Sequence, residues 1–302
     1  MSDVSPVTGA ESPFIGSIGK DIEVSFEFFP PRTEKMQAQL WDSIAHLASL
    51  QPRFVSVTYG ADGSTRERTH EAIVHIKETT GLEVAAHLTC VEATREEVDL
   101  VARRYWQAGI RHIVALRGDA PKGLGKYEPY PNGYPYACDL VKGLKRVADF
   151  EISVAAYPET HIEAESAESD LDNLKRKIDA GANRAITQFF FDVDAFRRFM
   201  DRALAAGITV PIVPGLLPIT NFAQNVKFAG KCGASIPDWM YDLFEGLDDE
   251  PANRQLAAVN LASEQIRQLI LDGITEFHFY TLNRSDLSYA ICRLLRIYPE
   301  EQ

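Results

Sequence analysis

The chain has 302 residues, 45% hydrophobic and 25% charged, enough for two ordinary domains or one large α/β domain. Its net charge of -12 argues against nucleic acid as a partner, which needs a basic surface to displace phosphate counterions, but not against an anionic small molecule held by local cations. Four scattered cysteines, Cys90, Cys138, Cys232 and Cys292, form no CxxC pair, and no apolar run is long enough to span a membrane; a metal site, a secreted disulfide framework and a membrane partner are not expected, and a reducing cytoplasm is.

Residues 1–20, rich in Ser, Pro and Gly without a sustained period, read as a flexible leader, and 21–302 as the folded unit. The first strand, Val24-Ser25-Phe26-Glu27-Phe28-Phe29, is stopped by Pro30 and Pro31, which lack the amide proton a ladder needs. A helix over 33–50 carries Met36, Leu40, Ile44 and Leu47 at helical spacing, and a strand over 54–59 then closes on Gly60-Ala61-Asp62-Gly63. The next helix spans 65–80 and ends at Gly81, a good residue just past a helix. Strands over 83–89 and 112–116 flank a helix over 94–108. A Gly/Pro/Tyr-rich loop from 120 to 135 leads to a helix over 136–147 and a strand over 152–156.

Leu171, Leu174 and Ile178 mark a helix closed by Gly181; a strand over 184–190 and a helix over 193–206 follow. A strand over 209–213 stops at Pro214-Gly215. Three helices, over 221–230, 237–247 and 251–272, precede the last strand, 276–280, and a last helix over 285–296. Strand then helix, about eight times over without a break in composition, predicts a single (β/α)8 TIM barrel with extra helices before the last strand, a fold of typically about 250 residues. An open doubly wound sheet is the rival, but no GxGxxG follows the first strand, and Gly123-Leu124-Gly125 lacks the third glycine.

A barrel gathers ligand groups where its strands end. Those ends carry Glu27, Thr58, His87 with Thr89, Arg117 with Asp119, Tyr157, Gln188 and Tyr280; polar residues are also common there simply because loops begin. Glu27 itself has two readings. On an alternating strand it points to solvent; walled in by aromatic rings, a carboxyl resists ionisation and suits a proton donor at neutral pH. His87 fits a core histidine or a ligand contact, whereas His112, at the start of a buried strand, reads as structural. Gly118 between Arg117 and Asp119 is either a tight turn or a place where backbone approaches a flat ligand. Asp170, Asn173 and Lys177 share one helical face, which could hold a ribose and a phosphate or simply face water.

The runs SFEFFPPRT (25–33), FVSVTYGA (54–61), HLTC (87–90), GIRHIVALRGD (109–119) and SVAAYPE (153–159) together resemble bacterial methylenetetrahydrofolate reductases. NLKRK-DAGA-RAITQFFFD (173–192) and FHFYTLNR (277–284) extend the resemblance, in order and with similar spacing, to the C-terminus. It implies a TIM barrel that binds FAD non-covalently, is reduced by NADH or NADPH with NADH favoured, and converts methylenetetrahydrofolate to methyltetrahydrofolate by ping-pong turnover. That reaction supplies methyl groups for methionine synthesis.

Residue by residue, the resemblance implies that Glu27 is the general acid that protonates folate N10, opening the ring to an iminium cation that takes hydride from the flavin. Asp119 then stabilises the developing cation. Thr58, Gln188, Phe222, Tyr280 and Arg284 are implied folate contacts, with Phe222 stacking on folate or nicotinamide in turn and Arg284 facing the glutamate tail. The implied FAD contacts are Thr58, His87, Arg117, Gly118, Asp119 and Ala137, together with Tyr157, His161, Asp170, Asn173, Arg176 and Lys177. Partners are then folate and a nicotinamide nucleotide, and a homo-oligomer is expected. Two departures stand out. The tyrosine-rich loop 127–136 is longer than the family's, which puts the local FAD contacts in question. The chain also stops soon after the last barrel helix, so no regulatory domain and no inhibition by S-adenosylmethionine are expected. Another flavin barrel, such as a proline dehydrogenase-like oxidase, and a catalytically silent folate- or flavin-binding barrel are the alternatives.

Overall fold

Apolar residues that alternate along short strands can be buried on both faces only if the sheet closes and helices cover its outside. The computed structural model, which describes residues 22–59, 66–120, 125 and 127–299, shows that solution. Strands β1 (Glu23–Phe28), β2 (Phe54–Val57), β3 (Val84–Thr89), β4 (His112–Leu116), β5 (Glu151–Ala156), β6 (Arg184–Phe189), β7 (Ile212–Leu216) and β8 (Glu276–Tyr280) run parallel and close in chain order. Around them lie α1 (Glu34–Ala48), α2 (Arg66–Thr80), α3 (Arg95–Gln107), α4 (Ala137–Val147), α5 (Ala167–Asp179), α6 (Val193–Ala205) and α10 (Asp286–Leu294). The predicted extra helices are α7 (Phe222–Cys232), α8 (Asp238–Phe244) and α9 (Pro251–Leu271), between β7 and β8. Side chains mark several helix starts: Thr33 accepts from the Met36 N–H, Asn221 from the Gln224 N–H, and Thr94 with Glu97 closes a capping box. The leader, the Gly60–Gly63 turn and Gly123-Leu124 lie outside the described residues.

The twofold alternation sorts each strand. Phe26, Phe28, Val55, Val57, Phe277 and Phe279 face out and pack with helix residues such as Leu40 and Ile44 in the main core. Phe54, Ala85, Val114 and Ile186 face in and plug the barrel. At its N-terminal mouth, buried Arg184 is paired with Glu151 and, at 3.3 Å, with Glu276; Arg53 pairs with Glu23 and, at 3.5 Å, with Glu276. His112 Nε2 lies 2.7 Å from Ser153 Oγ, and burial pushes the ring down to about 3, so this histidine is neutral and structural.

Two expectations need correction. The seventh strand is Ile212–Leu216 rather than 209–213, so Pro214 and Gly215 lie inside it. Proline is tolerated because its nitrogen faces β8, whose pairing with β7 begins only at Gly215; on the other side the Gly215 N–H donates to Thr187 Oγ1 at 2.9 Å, where the β6–β7 register shifts. The rings flanking Glu27 also do not wall it in: Phe26 and Phe28 point outward, because neighbours along a strand take opposite faces.

The end of β1 is clamped to the chain after β8. Thr281 Oγ1 donates to Glu27 O at 2.6 Å, and the Asn283 side-chain amide both accepts from the Phe29 N–H and donates to Phe29 O, each at 2.9 Å. From α1, Gln39 and Ser43 donate to Asn283 O. Asn283 holds a left-handed backbone, φ 56, which asparagine tolerates better than most residues. Asn283→Ala leaves the Phe29 groups without partners and should lower stability by about 2–4 kcal/mol. Chemical denaturation reads this, and a midpoint equal to the parent's would show the clamp to be idle.

Candidate active site

Glu27 ends β1 on its inner face, at the C-terminal mouth of the barrel. Its Oε2 lies 3.3 Å from His87 Nε2, without the alignment of a hydrogen bond, and 3.8 Å from His278 Nε2. His278 in turn places Nδ1 2.7 Å from Ser25 Oγ, which fixes the ring with its other nitrogen facing the Glu27 carboxyl. The register explains the grouping: Ser25 is level with His278 and Glu27 with Tyr280. Burial lowers the His87 pKa although Glu27 opposes it, so a neutral imidazole faces the carboxyl at neutral pH. Above these groups lies a pocket of about 310 Å³ whose walls include Thr58, Tyr59, Gln188, Phe189, Phe228, Tyr280 and Leu282. Tyr280 donates its hydroxyl to Thr187 O at 2.7 Å, so its ring is what the pocket receives.

A larger cavity, about 980 Å³, adjoins this pocket and shares Tyr59, Leu116, Ala155 and Tyr157 with it. Arg117, Arg176 and Lys177 supply positive charge to its walls. Arg117 pairs with Glu163 at 2.7 Å and lies 4.4 Å above the Tyr127 ring, which fixes its guanidinium. Gly118 has φ +88, and a Cβ there would sit 2.7 Å from Val91 Cγ1, so only glycine lets the chain pass between Arg117 and Asp119. Asp170 accepts from the His161 N–H at 2.8 Å, and Lys177 Nζ donates to Ala155 O. The Lys177 side chain is only partly covered, but its ammonium is enclosed; burial lowers its pKa to about 8 although Asp170 opposes this. Large, cation-lined and reached by backbone at a glycine, the cavity suits an extended ligand with anionic groups and a flat ring.

The predicted residues fall into two groups. Arg117, Gly118, Asp119, Ala137, Tyr157, His161, Asp170, Asn173, Arg176 and Lys177 line the large cavity. Glu27, Thr58, His87, Gln188 and Tyr280 line the small pocket. Phe222 and Arg284 line neither. Phe222 stacks on Phe244 at 4.7 Å, and Arg284 is exposed on the loop after β8. The ring from α7 that does reach the pocket is Phe228, on another face of that helix and stacked on Phe189 at 5.4 Å.

Sequence reasoning also missed Tyr59, His278 and Ser25. The last two carried a readable signal: each stands two residues before a strand-end candidate and therefore on the same inner face. The long tyrosine-rich loop contributes to the cavity, through Tyr127 and Tyr136, while Tyr134 packs against Gly143 and donates to Asp99 at 2.8 Å.

The family model described as Methylenetetrahydrofolate reductase matches residues 16–296. The chain belongs to the methylenetetrahydrofolate reductase family. It is 58% identical to the 5,10-methylenetetrahydrofolate reductase of Salmonella typhimurium and 57% identical to that of Escherichia coli, with 94% of each chain covered. It is 36% identical to methylenetetrahydrofolate reductase (NADH) 1 of Arabidopsis thaliana, matching 92% of this chain but 49% of the plant protein. In fold it is similar to a Clostridium thermocellum protein that binds two copies of 5-methyl-5,6,7,8-tetrahydrofolic acid, with a TM-score of 0.61, 17% identity and coverage of 91% and 94%. Membership of this reductase family makes the chain an oxidoreductase and removes the proline dehydrogenase-like alternative. Among the described residues no helix is long and apolar enough to cross a membrane.

Lys177 predicts two opposite pH effects. Its folded pKa, about 8, lies below its ordinary value of 10.5, so the unfolded chain keeps the proton to higher pH and this group's contribution to stability of the unliganded fold rises between those values. Affinity for an anionic ligand runs the other way, complete below the folded pKa and lost above it. FAD titrated at pH 7 and again at pH 9.5 should bind about tenfold more weakly at the higher pH, and Lys177→Met should remove that difference. An unchanged pH dependence in the variant would refute the role.

Proposed function

We propose that the protein reduces 5,10-methylenetetrahydrofolate to 5-methyltetrahydrofolate, with FAD in the large cavity and NADH as the reductant, in two half-reactions that share the small pocket. The observation that carries this reading is an inward carboxyl, Glu27, in a small pocket with polar groups on its walls that adjoins a larger, cation-lined cavity. Arg117, Arg176 and Lys177 are the residues to hold the diphosphate, while Gly118 lets the chain between Arg117 and Asp119 pack closely against Val91. Bound FAD supplies hydride transfer, chemistry that no side chain offers.

The remaining work falls to the protein. Glu27 delivers a proton to folate N10; a neutral His87 faces it at 3.3 Å, and His278, held by the Ser25 hydroxyl, lies 3.8 Å away. Asp119, at the edge of the large cavity, places negative charge where the folate becomes cationic. Thr58 and Gln188 offer hydrogen bonds to the pterin. Phe228 already presents a ring to the pocket, and Phe222 would join it by leaving Phe244. Arg284, exposed beyond β8, would meet the glutamate tail outside the pocket. A pocket of about 310 Å³ suits one ring system at a time, which favours alternating occupation by nicotinamide and pterin. The product would serve methionine synthesis in the cytoplasm, in a homo-oligomer; four free cysteines are in keeping with a reducing compartment.

Glu27→Gln keeps the shape of the side chain and removes its acid. FAD reduction by NADH should stay within about twofold of the parent, while oxidation of the reduced flavin by folate should fall by more than about 100-fold. Equal loss in both half-reactions, followed by stopped-flow absorbance, would sink this assignment.

A further inference from the structure

The turn after β5 carries two groups of the large cavity, Tyr157 and His161, and between them stands a backbone outlier. Thr160 holds φ 78, a left-handed conformation that a β-branched residue rarely takes. Such a residue keeps that shape only where its surroundings enforce it. On its C-terminal side the His161 N–H donates to Asp170 at 2.8 Å. On its N-terminal side Glu159 reaches the segment after α7, 76 residues away: one carboxylate oxygen accepts the Ser235 N–H at 3.0 Å and the other accepts the Ser235 hydroxyl. The two segments also touch beside this bridge. Gly233, with φ +74 at the end of α7, would place a Cβ 3.4 Å from Thr160 O and 3.7 Å from Ile162 Cβ. Neither Glu159 nor Ser235 lines either cavity.

We propose that Glu159 and Ser235 are positioning residues for the cofactor: their bridge holds Thr160 in its strained turn, and the turn aims His161 into the large cavity. The imidazole has one nitrogen to offer there. Its Nδ1 accepts the Glu163 N–H at 3.0 Å, so Nε2 carries the proton and is the donor left for a ligand. The ring stands edge-on against Tyr157 at 4.6 Å, and burial, with Arg117 nearby, lowers its pKa and keeps that donor neutral. Without the bridge, Thr160 returns to an ordinary backbone conformation, which swings the peptide that carries His161 and draws its N–H away from Asp170. Glycine at the same position has no such preference, since it adopts positive φ about as readily as negative. The strain at Thr160 is what makes the bridge necessary, and a glycine there removes the need for it.

This role rests on the proposed function, with FAD as the occupant of the large cavity. It is tested by titrating the full-length protein, stripped of flavin, with FAD and following the change in flavin fluorescence. Glu159→Ala should weaken FAD binding about tenfold, and Glu159→Gln, which keeps an acceptor for the Ser235 N–H, by less than about threefold. Thr160→Gly alone should leave the affinity within about twofold of the parent. Added to Glu159→Ala, it should bring the affinity back to within about threefold of the parent, because the strain that the bridge opposed is gone. Rescue by glycine is a result that lost charge or general loosening does not give. Parental affinity in Glu159→Ala, or a defect that Thr160→Gly leaves unrelieved, overturns the role. So does a fall in affinity that merely follows a fall in melting temperature across the variants. A parent that binds no FAD ends the proposed function, and this role with it; a parent that binds FAD no better than Glu159→Ala overturns the role alone.

Discussion

Closure of eight parallel strands is the constraint on which the rest depends. A closed sheet has no edge, so the strands' hydrogen bonds are met by their neighbours, and each strand keeps one row of side chains outside and one inside. The outside row meets helices and is apolar. The inside row is short and crowded, and it changes character along the barrel: paired Arg and Glu at the N-terminal mouth, an apolar plug of Phe54, Ala85, Val114 and Ile186, then Glu27 with His87 and His278 above it. One geometric rule thus separates the charges that hold the barrel together from those that face a ligand.

The two ends treat buried polarity differently. Below the plug, Arg184 lies between two carboxylates, although its Nε lacks an aligned hydrogen bond, and His112 is bonded to Ser153, so the charges are paired within the protein. Above it, His87 Nε2 has no aligned partner, Lys177 carries a lowered pKa beside open space, and Gln188 keeps its NH2 free. Polar groups that border a cavity, as His87, Lys177 and Gln188 do, are ones a ligand can satisfy.

Much of this was legible in the chain. The strand over 112–116 and the strand over 276–280 were readable to the residue, because apolar β-formers stop there at glycine or polar signals. The seventh strand was misplaced because Pro214-Gly215 reads locally as a stop; only the late start of its pairing with β8 makes room for proline inside a strand. Glu27 was singled out for the right position and with the wrong surroundings: the rings beside it in sequence face away, and the groups that face it come from β3 and β8. Phe228 escaped notice because which face of α7 looks into the pocket depends on how that helix sits over β6.

By itself the sequence determined the alternation of strand and helix, the barrel that follows from it, the strand ends that could carry ligand groups, and a resemblance that the family match bears out. These are local or periodic properties, carried by residues near one another in the chain. The tertiary structure alone decided which of those groups meet. Pairing of β1 with β8 sets Glu27 beside His278, and closure of the barrel brings the Tyr280 hydroxyl of β8 to the Thr187 carbonyl of β6. Such contacts join residues as far apart as 254 positions, and no local preference of the chain encodes the register that brings them together.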